Sequence, residues 1–303
     1  MRGSRSERLR PTVARRITAW LSEQDWLDSA ADRLQPAVKS FFDALGPARP
    51  AVKNFLHGTW LGHPLHPVLT DIPLGAWTAT LLLDALGDRR GHSGIARAAD
   101  ASLALGLAGA LGSAITGLTD WSETDARPRR VGVAHAALNA GATLFFAASL
   151  LSRNRGRRAS GRGLVVMGYA AAIAAAFLGG DLVYHQQIGV DHSSGRELPE
   201  KFAAVLAESD LPDGKPKRVL CKETRLLLVK RGDEIACLAE TCAHLGGPLS
   251  EGKLRDSSVI CPWHGSRFDL ETGEVLDGPS AFSQPCLQTR VRKGQIEVRL
   301  VRG

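Results

Sequence analysis

The 303-residue sequence predicts two architectures in series, an all-α four-span membrane bundle followed by a small all-β barrel or sandwich. Three observations carry that reading. Residues from about 68 to 184 are rich in Ala, Leu and Gly, in stretches of about 20 residues, the length needed to cross a bilayer. About the last hundred residues mix charge with Val, Ile and Leu at alternating positions, the period of a half-buried strand. All five cysteines, Cys221, Cys237, Cys242, Cys261 and Cys286, lie in that last part. The expected division is residues 1–56, an interfacial helical segment; 57–187, the bundle; 188–201, a linker; and 202–303, the β-domain.

Residues 17–45 place Leu27, Ala31, Leu34, Val38, Phe41, Phe42 and Leu45 at helical spacing. Ser22 as an N-cap and Pro36 as a first-turn residue predict two short helices there. With Trp20 and Trp26 nearby, they suit either the membrane interface or packing against the spans. The four spans are expected at about 68–87, 99–119, 131–152 and 163–184. Residues 101–119 and 131–152 contain no Asp, Glu, Lys or Arg, whereas the first span holds Asp71 and Asp84 near its ends and Pro73 in its opening turns. It begins too far along the chain for a cleaved signal peptide.

Ionisable residues beside membrane spans are functional candidates, and here they gather at one end. His63 and His66 precede the first span, Asp71 opens it, Asp120 closes the second, His135 opens the third, and Asp181 and His185 close the fourth. Alternating span direction puts all seven on one membrane face, with His92 as a loop residue opposite. Three readings stay open: hydrogen-bonding caps at helix ends, a quinone headgroup site with proton relay, or ligation of haem or another metal. The formal charge of +7 is mostly arginine in tails and short loops, notably Arg153, Arg155, Arg157, Arg158 and Arg162. Without interleaved aromatic residues, that run suits anionic lipid headgroups and not nucleic acid.

In the last part, strands are expected at 218–221, 226–231, 234–238, 258–260, 267–269, 287–292 and 295–301, with turn signals such as Arg231-Gly-Asp and Lys293-Gly between them. Set among them are Cys242-Ala-His244, sixteen residues, and Cys261-Pro-Trp-His264. By spacing alone, two cysteines and two histidines suit a tetrahedral zinc or a 2Fe-2S cluster with mixed thiolate and imidazole ligation. The flanking residues are more particular. Cys242-Ala-His244-Leu-Gly-Gly-Pro248 and Cys261-Pro-Trp-His264-Gly-Ser-Arg-Phe-Asp269 resemble the Rieske family.

That resemblance implies a 2Fe-2S cluster with Cys242 and Cys261 on one iron and His244 and His264 on the other, nearer the surface, as the electron port. It places Ser266 where a hydroxyl bonds to the cluster's ligands, but Phe268 where high-potential members carry a tyrosine, and Gly247 and Trp263 where they carry a bracing cystine. A potential in the lower half of the roughly −150 to +300 mV span of such centres is expected. Residues 278–285 form a proline-containing loop over the cluster. Gly246, Gly247 and Gly265 let backbone amides approach the sulfurs. Cys221, Cys237 and Cys286 are left as small buried apolar residues.

Gly62-His-Pro-Leu-His-Pro67 and Gly117-Leu-Thr-Asp-Trp121 resemble, over about residues 57–187, a family of four-helix predicted membrane proteins that brings no activity with it. Together the two resemblances imply an integral, membrane-anchored electron-transfer protein. Its expected partners are membrane lipid and a redox protein or quinone. The alternatives are the electron-donating component of a multi-chain oxygenase or a redox sensor. Only 39 residues follow His264 and none is histidine, so a facial triad for mononuclear iron would have to come from another chain. Lys and Arg divide almost evenly between the two faces, apart from six arginines between Arg2 and Arg16. Cytoplasmic cluster assembly puts the Rieske domain on the cytoplasmic side of the cell membrane.

Overall fold

The computed structural model describes residues 13–90, 93–195 and 197–300; His92 and the arginines from Arg2 to Arg10 lie outside the described residues. The chain divides into two compact units, Met1–Val38 with Ile72–Leu111 and Thr124–Gln187, and Lys39–Asp71 with Gly112–Glu123 and Ile188–Gly303.

Helix α1 spans Val13–Ser22 and α2 spans Asp25–Asp43. The break therefore falls at Glu23–Gln24, and the expected roles of Ser22 and Pro36 are corrected: Ser22 ends α1 and α2 runs through Pro36. Proline fixes φ near its helical value and removes one N–H bond. Burial of Leu27, Ala31, Gln35 and Phe42 along one face of α2 offsets that loss.

Helix α3, Arg49–His57, ends at Gly58 in the left-handed region (φ 79°), whose N–H bonds back to the Asn54 and Phe55 carbonyls. A Cβ on Gly58 would sit 2.4 Å from the His63 carbonyl oxygen, so this turn needs glycine both for φ and for the returning chain. Helices α4 Leu65–Arg90, α5 Ser93–Trp121, α6 Ala126–Asn154 and α7 Arg158–Gly180 follow, and α7 runs into a π-turn at Asp181–His185.

Among the described residues, three stretches are long and apolar enough to cross a membrane, Gly94–Trp121, Ala126–Asn154 and Arg158–His185. The expected four-span count is therefore supported only roughly. With 26 residues α4 has the length, but Thr70, Asp71, Thr78, Thr80 and Asp84 make it too polar to count with the other three. Asp84 itself is buried and takes the guanidinium of Arg153, a side chain only 1% exposed, which also bonds Asp100. Arg153 is thus no lipid-facing loop residue: Gly161 leaves space beside it, where a Cβ would lie 2.8 Å from its Cγ. Arg155 and Arg157 remain exposed. Trp77 stacks on Phe146 at 4.0 Å among Leu103, Ala142, Val165 and Ala172.

The β-domain is built from β1 Ala203–Ala207, β2 Pro216–Cys221, β3 Thr224–Arg231, β4 Glu234–Ala239, β5 Lys253–Arg255, β6 Ser258–Ile260, β7 Arg267–Asp269, β8 Val275–Asp277, β9 Cys286–Arg292 and β10 Gln295–Leu300. Six strands form an antiparallel sheet in the order β1-β10-β9-β4-β3-β2, and four form a second in the order β5-β6-β7-β8. Strand β3 is buried on both faces. Leu226 and Leu228 pack with Val219, Cys237, Ile296 and Val298, while Leu227 and Val229 pack with Leu249, Val259, Phe268, Cys242 and Cys261. Its unbroken Leu-Leu-Leu-Val run follows from that double burial, and the same packing seats the two candidate ligand sulfurs. Cys221 and Cys237 are buried, whereas Cys286 is half-buried and its thiol donates to the Glu271 carbonyl.

Replacing Gly58 by Ala should destabilise the chain by at least about 1–2 kcal/mol, the left-handed penalty for a residue with a Cβ, read as a lowered urea midpoint. Asp269 offers a pH test. Its Oδ1 accepts the N–H groups of Glu271 and Thr272 at 2.9 Å; burial pushes its carboxyl up, but those bonds together hold it below the usual range. A depressed folded pKa means stability present above the unfolded value near 3.9 and lost as pH falls through the folded one. Asp269→Asn should therefore flatten the acid side of the stability profile, measured by urea melts between pH 2.5 and 5.

Candidate metal centre

Cys242 and Cys261 open two turns of the same construction. The Cys242 N–H donates to the Gly247 carbonyl and its carbonyl accepts the Gly246 N–H; the Cys261 N–H donates to the Ser266 carbonyl and its carbonyl accepts the Gly265 N–H, all between 2.8 and 3.1 Å. Gly246 and Gly265 stand at φ 80° and 78°, the left-handed position each turn requires. The first turn joins β4 to β5 and the second joins β6 to β7, so the two sheets hold them fixed.

Their side chains meet as a sulfur pair and an imidazole pair. The Cys242 thiol bonds to the Cys261 sulfur, and the N–H groups of Trp263 and His264 also point at Cys261. Those bonds bring the Cys261 thiol down to about 7 against the upward push of burial. Cys242, the other partner of that bond and the more deeply buried, is pushed up while receiving the His244 and Leu245 N–H groups. The rings of His244 and His264 stand 5.0 Å apart, nearly perpendicular. Burial, then the charges of His264, His57, His192 and Lys53, hold His244 well below its ordinary pKa.

A neutral imidazole with an unengaged nitrogen is what a metal ligand must present, and His244 Nδ1 is buried without a hydrogen-bond partner in the protein. Among the described residues no three His, Cys, Asp or Glu converge to hold a single metal ion. Two sulfurs on one side and two rings on the other suit a binuclear group. A Cβ on Gly247 would lie 2.8 Å from Cys261 Sγ and 3.1 Å from the Trp263 ring, so the indole fills the place beside Gly247.

Around the turns, Ser266 is buried and its Oγ accepts the Ser280 N–H at 3.0 Å, leaving its own hydrogen to donate. Phe268 is buried in the core without a hydroxyl to offer. Gln284 escaped the sequence reading, since a lone polar residue in a loop gives no signal. Its Nε2 donates to the Ala239 and Thr241 carbonyls and its Oε1 accepts the Ala243 N–H.

Residues 201–288 match the family described as Rieske [2Fe-2S] domain, and residues 62–192 match the family described as Predicted membrane protein (DUF2231). Ferredoxin CarAc of Metapseudomonas resinovorans is 33% identical over 95 residues, 31% of this chain and 89% of that protein. The chain belongs to the Rieske family.

The Rieske domain implies a 2Fe-2S cluster. Apoptosis-inducing factor 3 of Homo sapiens is 37% identical over 97 residues, 32% of this chain and 16% of that protein. The Cytochrome b6-f complex iron-sulfur subunit of Chlorobaculum thiosulfatiphilum is 31% identical over 88 residues, 29% of this chain and 48% of that protein. The chain thus spans under half the length of those two relatives, and what it shares with them is the Rieske domain.

The histidine and aspartate candidates take individual places. In the unit that holds the Rieske domain, His63 is exposed and its Nδ1 bonds the Pro64 carbonyl, and Asp71 is exposed. His66 Nδ1 donates to the Ser113 carbonyl at 2.9 Å, its ring so close to Gly117 that a Cβ there would lie 2.7 Å away. Asp120 accepts from Nδ1 of His57, a buried residue the sequence reading passed over. In the other unit both nitrogens of His135 are engaged, Nδ1 by the Ala175 carbonyl and Nε2 by the Asn139 amide. Asp181 accepts from Gln186 Nε2, and His185 is exposed. Ala176, Phe177, Gly180, Asp181, Tyr184 and His185 lie along one face of α7 and its π-turn.

Gly247→Ala should leave the sheets intact by circular dichroism but cut iron and labile sulfide per chain at least threefold, because the methyl would overlap Cys261 Sγ.

Proposed function

We propose that this chain is a membrane-anchored one-electron carrier in which Cys242 and Cys261 hold one iron of the 2Fe-2S cluster and His244 and His264 hold the other. The observation that carries this reading is the buried, unpartnered His244 Nδ1 beside His264 and the Cys242–Cys261 pair, in a chain with three apolar membrane-length helices. When bound, the cluster supplies a site that takes up and releases one electron. The chain's own groups set the conditions. Backbone amides of residues 244, 245, 263 and 264 face the sulfurs and favour the more negative, reduced form. Ser266 adds one hydroxyl and Phe268 none, which supports a potential in the lower half of the Rieske range.

Trp263 is 57% exposed and its ring lies 6.4 Å from that of His264, an outward surface suited to a redox partner protein. The named roles of two relatives, a ferredoxin and a subunit of a cytochrome complex, support a redox-protein partner. The cell membrane is the proposed location, with the Rieske domain on its cytoplasmic side. A second reading, exchange with quinone, is favoured by one face of α7 and its π-turn, where Asp181, Tyr184 and His185 follow the apolar Ala176 and Phe177. Haem ligation by His135 would displace the Asn139 amide from Nε2 or the Ala175 carbonyl from Nδ1.

Protein purified anaerobically in detergent should carry two irons and two labile sulfides per chain, and its potential should fall as pH rises, because reduction makes imidazole ligands more basic. Zinc in place of iron would overturn the assignment. For the second reading, quinol should reduce the cluster, followed by its paramagnetic signal, and His185→Ala should slow that reduction at least tenfold; no reduction by quinol would leave the protein partner.

A further inference from the structure

Asn54 and His57 lie on α3, ahead of the residues matched to either family, yet both meet the proline-containing loop of the Rieske domain. All the residues concerned belong to one compact unit. Asn54 uses both ends of its amide. Oδ1 accepts the Gly278 N–H at 2.9 Å, while Nδ2 donates to Asp277 Oδ1 at 3.2 Å and to the Leu276 carbonyl at 3.3 Å. No other side chain of that size both accepts and donates in this way. The Gly278 backbone then lies against His57 and Thr59, where a Cβ would stand 3.2 Å from His57 Cδ2 and 3.4 Å from Thr59 Cγ2. His57 is 1% exposed, and Asp120 on α5 holds its ring through Nδ1 at 2.8 Å. An ion pair from Lys53 to Glu123 secures the same helix to the residues that follow α5.

From Gly278 the bonds lead to both ligand turns. Two residues on, the Ser280 N–H donates to Ser266 Oγ in the second turn. Four further on, Gln284 donates to the Thr241 carbonyl at 2.6 Å and accepts the Ala243 N–H at 3.1 Å in the first. Among its bonds, the loop is thus tied to both turns and to α3.

We propose that Asn54 is a positioning residue that, with His57 held by Asp120, clamps the Gly278 loop and thereby sets the potential of the cluster held by the two turns. This rests on the ligand assignment proposed above. A loop held at Gly278 keeps the Ser280 N–H on Ser266 and directs the Ser266 hydroxyl toward the cluster's ligands. Dipoles already oriented when the electron arrives stabilise the added charge without reorganisation. Released at Gly278, the loop loses that orientation and reduction becomes harder.

The test uses the full chain, loaded with its cluster in detergent, with hydrogen exchange over residues 276–281 and a redox titration followed by paramagnetic resonance. In the wild-type chain this segment should exchange at least tenfold more slowly than an unprotected chain. Asn54→Leu should speed exchange there at least tenfold, keep iron content at the wild-type level, and lower the reduction equilibrium constant at least threefold. Asn54→Ala, which removes the same bonds without adding a bulky side chain, should give the same changes and serves if the leucine variant does not accumulate. An unprotected wild-type segment, or variants with wild-type exchange or an unchanged or raised potential, would overturn the clamp. A chain that holds no iron would instead sink the ligand assignment, while protection that does not depend on Asn54 sinks the clamp alone.

Discussion

The structure turns on two buried sulfurs brought into contact by turns that end in left-handed glycines. A cysteine whose N–H reaches the carbonyl five residues on, and whose carbonyl takes the N–H four residues on, closes a loop tight enough to aim further amides at its sulfur. Such a turn is made twice, in chain segments about twenty residues apart. Neither segment could hold this shape unsupported, because the amides facing sulfur are withdrawn from any sheet. What holds them is the pair of sheets: Leu227, Val229, Leu249, Val259 and Phe268 pack around both cysteines. Core and centre are one assembly, so packing energy is also site geometry.

That coupling explains which parts of the centre were legible in the sequence. The proposed ligands and their glycines are local patterns, each readable within eight residues, and seven of the ten strands among the described residues carry enough alternation or β-branching to be read directly. Strands β1, β5 and β8 are edge strands of three to five residues, where one exposed side blurs the alternation. Gln284 was illegible because its role depends on meeting carbonyls more than forty residues away. His57 was missed for the same reason: its partner Asp120 is 63 residues distant.

In the helical part, reading Asp84 and Arg153 separately made one a flaw in a span and the other a lipid-facing charge. Burying either alone would be costly, and a bidentate pair with a further carboxylate nearby is the arrangement in which burial is tolerated. The spacing of 69 residues hides this from any window of the sequence. Gly161 is the local trace of it, a small residue where the guanidinium stem passes. Gly117 beneath His66 and Gly106 beneath Trp77 mark other close approaches in the same way, so these three glycines record where a larger ring or stem is seated.

The motif histidines and aspartates of the helical part are therefore better understood one at a time than as a single cluster. His66 and His135 each give a ring nitrogen to a carbonyl on a neighbouring helix. Such a carbonyl already accepts within its helix and has a second lone pair to offer, so the bond crosses from helix to helix without breaking either ladder. A histidine used this way is fixed in orientation, which suits a rigid base and gives it no spare nitrogen at Nδ1 for a metal. His244 presents the opposite case, a neutral ring whose Nδ1 is buried with nothing in the protein to bond. Burial without a partner is costly for a polar atom, and a metal–nitrogen bond removes that cost. His66 and His135 thus have Nδ1 already engaged by a carbonyl, whereas the fold leaves Nδ1 of His244, a proposed ligand, open.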